Sequence, residues 1–203
     1  MLKIHHAPMS RSSRVLWLCE EIGLEYELET ITMFSDEMKT REFLSVHPMG
    51  KVPAIDDDGF VLWETPAIFQ YLVAKYSDGA LIPPPGTQEG ARHLQWMIWA
   101  ESYLTVIMGE IAAHSGPMPE KWRIPALVDR GKEMAPGLVA MAEGALVPGP
   151  RVLGEPFSAA DIMLGFGLQI ARHLGYCGDA APRCEAYLAA LAQRPAFQRA
   201  MAR

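Results

Sequence analysis

The spacing of apolar positions changes along the chain. Before residue 77, short apolar or alternating runs predict strands, and stretches with apolar residues three or four apart predict helices between them. The predicted strands are 2–6, 26–31, 52–56 and 60–63, and the predicted helices are 14–22, 36–45 and 64–76. The resulting order is βαβ followed by ββα, which is typical of a small α/β layer domain.

Residues 77–87 interrupt this pattern. Three prolines and two glycines in SDGALIPPPGT stop any helix, so residues 78–87 are predicted to be a linker. Beyond the linker the strand patterns end, and helices are predicted at 88–114, 124–146, 158–174, 180–192 and 195–202. The sequence therefore predicts an α/β domain over residues 1–77 and an all-helical domain over residues 88–203.

Local signals mark the ends of some helices. Thr65 is predicted as an N-cap, with Pro66 at the first helical position. Ser158 is a natural N-cap, and Asp161 stands at the third helical position, which is the capping-box pattern with Asp in place of Glu. Gly23 fits the end of the first helix.

Composition excludes several kinds of partner. The net charge is -6, which argues against nucleic acid, because phosphate binding needs a basic face. No apolar run approaches the ~20 residues of a membrane span, and the N-terminus lacks the apolar core of a signal peptide. The 3 cysteines have no close spacing, so we expect reduced thiols and a cytoplasmic location. No cluster has metal-ligand spacing, so no metal is expected, and His5 and His6 are interpreted as strand residues.

The seam between the first strand and the first helix carries three serines. A redox protein with this layout has C-x-x-C at that turn, whereas this chain has Ser10, Arg11, Ser12 and Ser13. A hydroxyl at a helix start can donate a hydrogen bond to the thiolate of another molecule and lower its pKa from about 8.5. The alternative is N-capping, and one of the serines is expected to cap the helix.

Two further short motifs could hold a ligand. Pro53 begins or edges a strand, and a cis bond after Val52 would turn that backbone outward, although base rates favour trans. Glu64 and Thr65 stand at a helix start, where a carboxylate beside free N–H groups suits a zwitterion. An N-cap with an acidic neighbour is the alternative for this pair.

Three stretches of the chain resemble the cytosolic glutathione transferase family. They are residues 10–27, 47–72 and 157–165, and in this order the resemblance covers nearly the whole chain. The serine-type start is similar to that of bacterial and fungal members. The resemblance implies a thioredoxin-like domain that binds glutathione, a helical domain that supplies the second-substrate pocket, and a homodimer.

The resemblance also implies a role for the serines. In serine-type relatives the catalytic hydroxyl lies four residues before the arginine that begins the helix. Arg14 fits that arginine, so Ser10 is the expected catalytic residue, with Ser12 and Ser13 as alternatives. No tyrosine or cysteine stands at this turn, so the tyrosine-dependent and cysteine-type classes do not fit.

Five more residues are implied as glutathione contacts. Pro53 would be the cis-proline, and Val52 would pair its backbone with the cysteinyl part of glutathione. Glu64 and Thr65 would hold the γ-glutamyl end, and Lys51 would reach the glycine carboxylate. The chain departs from the family in having His47 before Pro48, where Asn is frequent, and Thr at 65 in place of Ser.

The helical part offers weaker candidates. Glu101 lies on an apolar stripe and either turns outward or faces the cleft or a dimer partner, as acidic residues of this helix do in relatives. An apolar second-substrate pocket could include one or two of a larger set of aromatic, Met and His residues. The set is Tyr103, Met108, His114, Trp122 and Tyr176.

The expected activity is transfer of glutathione to a small hydrophobic electrophile, with the thiolate stabilised by Ser10. Etherase, isomerase and peroxidase reactions at the same site are alternatives. A protein that binds glutathione or apolar ligands without turnover is another, because fold does not fix function. The retained hydroxyl and the Glu64–Thr65 pair favour the enzyme.

Overall fold

A four-stranded sheet organises the N-terminal part of the chain, in a computed structural model that describes residues 1–146, 151–154 and 156–203. The strand order is β2-β1-β3-β4, with β1 parallel to β2 and antiparallel to β3, and β3 antiparallel to β4. This topology confirms the predicted thioredoxin-like βαβ–ββα arrangement. The strands are β1 (Leu2–His6), β2 (Glu27–Thr30), β3 (Ala54–Asp57) and β4 (Phe60–Trp63).

Helices of the N-terminal part follow the predicted pattern closely. They are α1 (Ser13–Ile22), α2 (Arg41–Val46) after a 3₁₀ turn at Asp36–Lys39, and α3 (Thr65–Tyr76). Gly23 ends α1 with φ 66°, a left-handed conformation that glycine adopts at little cost. Cys19 on α1 is fully buried and is a small core residue.

The residues described beyond Ile82 form helices and the turns between them, as predicted. Its helices are α4 (Gln88–Trp99), α5 (Val106–Ser115), α6 (Pro125–Ala145), α7 (Ala159–His173), α8 (Pro182–Ala192) and α9 (Pro195–Met201). A π-helical stretch at Ala100–Thr105 joins α4 to α5, so the helix predicted over 88–114 has no break. The apolar spacing does not predict the π-helical geometry of this stretch. Within the described ranges, no helix combines the length and hydropathy needed to cross a bilayer.

The described residues form two compact units. The first comprises Met1–Ile82 together with Arg194–Arg203, and the second comprises Pro83–Gln193. The division falls within residues 77–87, which contain no helix or strand. The sequence pattern assigned residues 88–203 to a single helical domain, whereas the structure groups α9 with the first unit.

Side-chain contacts explain why α9 belongs to the first unit. The Trp17 ring on α1 packs edge-on against Phe197, with ring centroids 4.8 Å apart. Arg194 donates two hydrogen bonds to the Glu21 carboxylate, at 2.6 and 2.7 Å. An aromatic pair beside a bidentate ion pair holds the two helices together.

Candidate active site

The turn between β1 and α1 presents three serines with different exposure. β1 ends at His6 and α1 begins at Ser13, so the serines lie where strand gives way to helix. Ser12 is 0 % exposed and Ser13 is 5 % exposed, whereas Ser10 is half-buried. Ser10 is therefore the most exposed of the three serines.

Ser12 stands at the N-cap position of α1, yet its side chain makes no hydrogen bond to the helix. Its Oγ instead lies 2.8 Å from His6 Nδ1 and accepts the Ala7 N–H at 3.1 Å. The expectation that a serine caps α1 is wrong, because the end of β1 offers this hydroxyl partners of its own.

Ser10 is linked to Ser12 through two contacts. The two Oγ atoms lie 2.6 Å apart, and Ser10 Oγ accepts the backbone N–H of Ser12 at 3.2 Å. The half-buried hydroxyl is thus fixed from the protein side by its buried neighbour. Such a hydroxyl has a defined position from which to meet a ligand atom.

The start of α3 differs by one residue from the prediction. The first helical hydrogen bond runs from the Ile68 N–H to the Glu64 carbonyl at 2.9 Å, so Glu64 is the N-cap and the helix begins at Thr65. The prediction of Thr65 as N-cap is therefore wrong. Glu64 is exposed and has φ 74°, a backbone conformation that costs a non-glycine residue about 1–3 kcal/mol.

A buried arginine connects the serine turn to α3. Arg14 is 0 % exposed, and its Nη2 donates to Thr65 Oγ1 at 3.1 Å. Its Nε donates to the Arg11 carbonyl at 3.0 Å, within the turn itself. The guanidinium therefore sets the distance between the serine turn and the N-terminus of α3.

The Val-Pro motif lies in the segment before β3, in the same unit as the three serines. The Val52–Pro53 peptide bond is cis, and β3 begins at the next residue. Val52 is buried in an apolar cluster that includes Ala7, the residue that follows β1. Lys51 is exposed beside it.

His47, the departure from the family pattern, has a structural role in this segment. Its Nδ1 accepts the Met49 N–H at 3.2 Å, and its ring packs against Trp63 at 5.4 Å between centroids. Burial lowers the pKa of His47, against the opposing pull of the Glu64 carboxylate. The ring therefore serves as a neutral acceptor that shapes the loop before Lys51.

The predicted site residues fall in both units. Ser10, Lys51, Val52, Pro53, Glu64 and Thr65 belong to the first. Glu101 and Tyr103 belong to the second, on its π-helical stretch, where Glu101 is half-buried and Tyr103 is 53 % exposed. Met108, another pocket candidate, is fully buried and is a core residue. The roles of Glu101 and Tyr103 stay predictions.

Sequence reasoning missed two members of the first unit's polar set. His6 was interpreted as a strand residue, which it is, but its ring also contacts the Ser12 hydroxyl. The sequence indicates Arg14 only as the arginine at the helix start, whereas in the structure it also donates to Thr65. The available signal was a charged residue among the apolar positions of α1, since a fully buried arginine needs hydrogen-bond partners.

Together these features define a thioredoxin-like protein whose first helix starts at hydroxyls where redox members have thiols. Residues 8–75 match the family described as "Glutathione S-transferase, N-terminal domain". Glutathione S-transferase 3 of Zea mays is 27% identical over 207 residues, which cover 99% of this chain and 93% of the maize protein.

Solved structures extend the similarity to both units. A glutathione transferase from Methylococcus capsulatus is 30% identical with a TM-score of 0.84, covering 100% of this chain and 98% of that one. The theta class glutathione S-transferase of Xanthomonas axonopodis pv. citri, solved with glutathione bound, is 28% identical with a TM-score of 0.83, covering 98% and 96%. This chain belongs to the glutathione transferase family.

Proposed function

We propose that the protein is a glutathione S-transferase that joins glutathione to small hydrophobic electrophiles. In this proposal the Ser10 hydroxyl donates a hydrogen bond to the glutathione sulfur. A donor to the charged form lowers the pKa of a thiol from its free value of about 8.5, so more thiolate is present at neutral pH. The observation that supports this role is that Ser10 is half-buried and that its hydroxyl is held by Ser12 at the start of α1.

The reaction uses a nucleophile that belongs to the cosubstrate. The thiol proton leaves to solvent, and the thiolate lone pair then forms a carbon–sulfur bond with the electrophile. The bond from that carbon to the leaving group breaks, and the leaving group departs with the electron pair. Ser10 donates its hydrogen bond throughout and is not consumed.

The α3 start suits the γ-glutamyl end of glutathione. Thr65 Oγ1 accepts from Arg14, so its own O–H remains available to donate to a carboxylate. Glu64 is exposed, and its carboxylate would receive the amine. A zwitterion thus finds a donor and an acceptor on adjacent residues, beside the positive end of a helix.

The Val-Pro segment would bind the rest of the peptide. The Val52 backbone would pair with the cysteinyl residue, and Lys51 would reach the glycine carboxylate, with Pro53 after them. The Xanthomonas axonopodis protein was solved with glutathione bound, which supports glutathione as the ligand in this proposal.

For the second substrate and the assembly, we propose the arrangement typical of the family. Tyr103 would line the electrophile pocket, Glu101 would contribute to the glutathione site, and two chains would form a homodimer. Sedimentation at micromolar concentration should show a species of twice the 22.4 kDa chain mass. A 22.4 kDa species alone would contradict the dimer.

The decisive test is a difference ultraviolet titration of glutathione across pH, in wild type and Ser10→Ala. Wild type should show bound thiolate near neutral pH. Ser10→Ala should bind glutathione with its thiol pKa shifted back towards the free value, and should lose about 10²-fold in kcat/KM. Ser45→Ala, at an exposed serine of α2, is the matched control and should behave as wild type.

Two other results are informative. If both proteins bind glutathione and neither ionises it, Ser10 is not the activating group and binding without turnover becomes the better description. If neither protein binds glutathione, the proposed function is wrong.

A further inference from the structure

The side chains of Ser10, Ser12 and His6 form a hydrogen-bonded row that begins at Ser10. Ser10 Oγ lies 2.6 Å from Ser12 Oγ, and Ser12 Oγ lies 2.8 Å from His6 Nδ1. The catalytic proposal uses only the first of these groups. The direction in which each of these groups donates its proton matters, because a hydroxyl that donates inward cannot donate to a ligand with the same proton.

The hydrogen-bonding capacity of Ser12 limits the possible arrangements of these protons. A hydroxyl has one proton to donate and two lone pairs. One lone pair of Ser12 Oγ takes the Ala7 N–H at 3.1 Å. The His6 ring and the Ser10 hydroxyl must then divide the remaining lone pair and the single proton between them.

In the first arrangement His6 carries its proton on Nε2. Nδ1 is then an acceptor, so Ser12 donates to it and Ser10 must donate to Ser12. The Ser10 proton is thereby used inside the protein, and its outward face holds only a lone pair. A thiolate would meet no donor there.

In the second arrangement His6 carries its proton on Nδ1 and donates to Ser12. Ser12 then donates to Ser10 across the 2.6 Å contact, in preference to the Ala7 carbonyl at 3.3 Å. Ser10 Oγ receives this bond as well as the Ser12 N–H at 3.2 Å, so both of its lone pairs are filled. The Ser10 O–H has only the outward direction left.

The environment of the ring selects the second arrangement. His6 is 2 % exposed, and its Nε2 has no hydrogen-bond partner among the described residues. An unpaired N–H buried away from water is rarer in proteins than an unpaired acceptor, so Nε2 is better left bare. Burial also lowers the pKa of His6, which keeps the ring neutral near pH 7, so that only one of its two nitrogens carries a proton.

We propose that His6, in its Nδ1–H tautomer, is a positioning residue that acts through Ser12 to commit the Ser10 hydroxyl to donate outward. This inference rests on the proposed function of Ser10. Its effect on glutathione is indirect, since His6 touches Ser12 and not the ligand.

The first test measures the tautomer itself, without any ligand. A long-range ¹H–¹⁵N spectrum of the full-length protein, with the His6 signals assigned by their loss in His6→Asn, should show a protonated Nδ1 and a bare Nε2. A protonated Nε2 with a bare Nδ1 would overturn the inference, whatever the enzyme does.

The second test reads the pKa of the bound glutathione thiol by its ultraviolet thiolate absorbance. His6→Leu and Ser12→Ala each break the hydrogen-bonded row, and each should raise that pKa by about one unit, equivalent to about tenfold less thiolate well below it. His6→Asn keeps a side-chain N–H close to the Nδ1 position and should recover most of the effect. KM for glutathione should change less than twofold in all three.

His5→Leu is the matched control, since His5 also lies on β1 but its ring packs against Phe43 and faces Glu29. It should leave the thiol pKa unchanged. If Ser10→Ala raises the thiol pKa while Ser12→Ala and His6→Leu match wild type, this inference fails and the proposed function survives. If His6→Leu does not fold, Ser12→Ala decides. If wild type itself binds no thiolate, both fail.

Discussion

Among the α-helices that the structure describes, α1 and α7 begin after a serine, and the two hydroxyls have different partners. Ser158 forms a capping box with Asp161 at the third helical position of α7, and its hydroxyl donates to the Asp161 carboxylate at 3.1 Å. Ser12 occupies the same position before α1, but its third helical residue is Val15, and the hydroxyl turns back to the strand. The residue three positions after the serine, Asp161 in α7 and Val15 in α1, therefore distinguishes the serine of a capping box from the serine of the candidate site.

The two polar sets also differ in whether they are closed. The Asp161 carboxylate accepts from the Ser158 N–H at 2.8 Å, the Val152 N–H at 3.1 Å and the Tyr187 hydroxyl at 2.9 Å, all of them buried. The set around Ser12 ends at Ser10, which is half-buried. A closed set contributes to stability, whereas an open one presents a group to a ligand.

The largest expected effect comes from opening the closed set. Asp161→Ala should lower the free energy of unfolding by about 3–5 kcal/mol, because it leaves several buried donors without an acceptor. Burial already raises the pKa of this carboxyl, the hydrogen bonds offsetting part of the desolvation. Urea unfolding followed by circular dichroism measures the loss.

The matched variant is Asp161→Asn, which keeps the shape and one acceptor and should lose less. Glutathione binding by the folded fraction should be unchanged in both. A loss below about 1 kcal/mol for Asp161→Ala would mean that its partners find water, and that the set is not closed.

A second expected effect concerns a buried histidine that belongs to neither kind of set. His93 on α4 is fully buried, and neither ring nitrogen has a hydrogen-bond partner among the described residues. Burial lowers its pKa from 6.5 to about 4. The unfolded chain therefore takes up the proton first, so stability is full above about pH 6.5 and falls as the pH drops towards 4.

The size of that loss follows from the shift. Between pH 7 and pH 4, wild type should lose about 3 kcal/mol more stability than His93→Leu, in which this titration is absent. Parallel unfolding curves at several pH values provide the measurement. Equal pH slopes in the two proteins would show that the ring has water or another partner in solution.

The smallest expected effect separates the two serines directly. Ser158→Ala should cost about 1 kcal/mol of stability and leave the pKa of bound glutathione unchanged. Ser12→Ala should move that pKa. The comparison breaks if Ser158→Ala shifts the thiol pKa, or if the two variants have the same effect on it.

Much of this fold can be predicted from the local sequence. The period of apolar residues predicts the strands and helices to within a few positions, and Gly23 and the Ser158–Asp161 pair mark ends that the structure confirms. These features depend on neighbours within about four residues, which is the range that such patterns report.

What the sequence could not show depends on longer range. The default expectation for Ser12 is a cap, and nothing nearby indicates that a strand residue six positions earlier takes its hydroxyl. The start of α3 at Thr65, one residue before the predicted Pro66, is a local exception, because the first helical bond reaches the Glu64 carbonyl. The Arg14–Thr65 bond joins residues 51 positions apart, beyond any periodicity.

The position of α9 has a consequence for how the protein is made. Trp17 is 1 % exposed in the finished unit, and Phe197 is one of the groups that cover it. A ribosome adds about 5–20 residues per second, so on the order of 10 s passes between synthesis of the two rings. Throughout that interval the nascent chain carries an uncovered aromatic surface on α1, while the whole of Pro83–Gln193 is still being made. A chaperone that binds apolar segments can bind α1 during this interval.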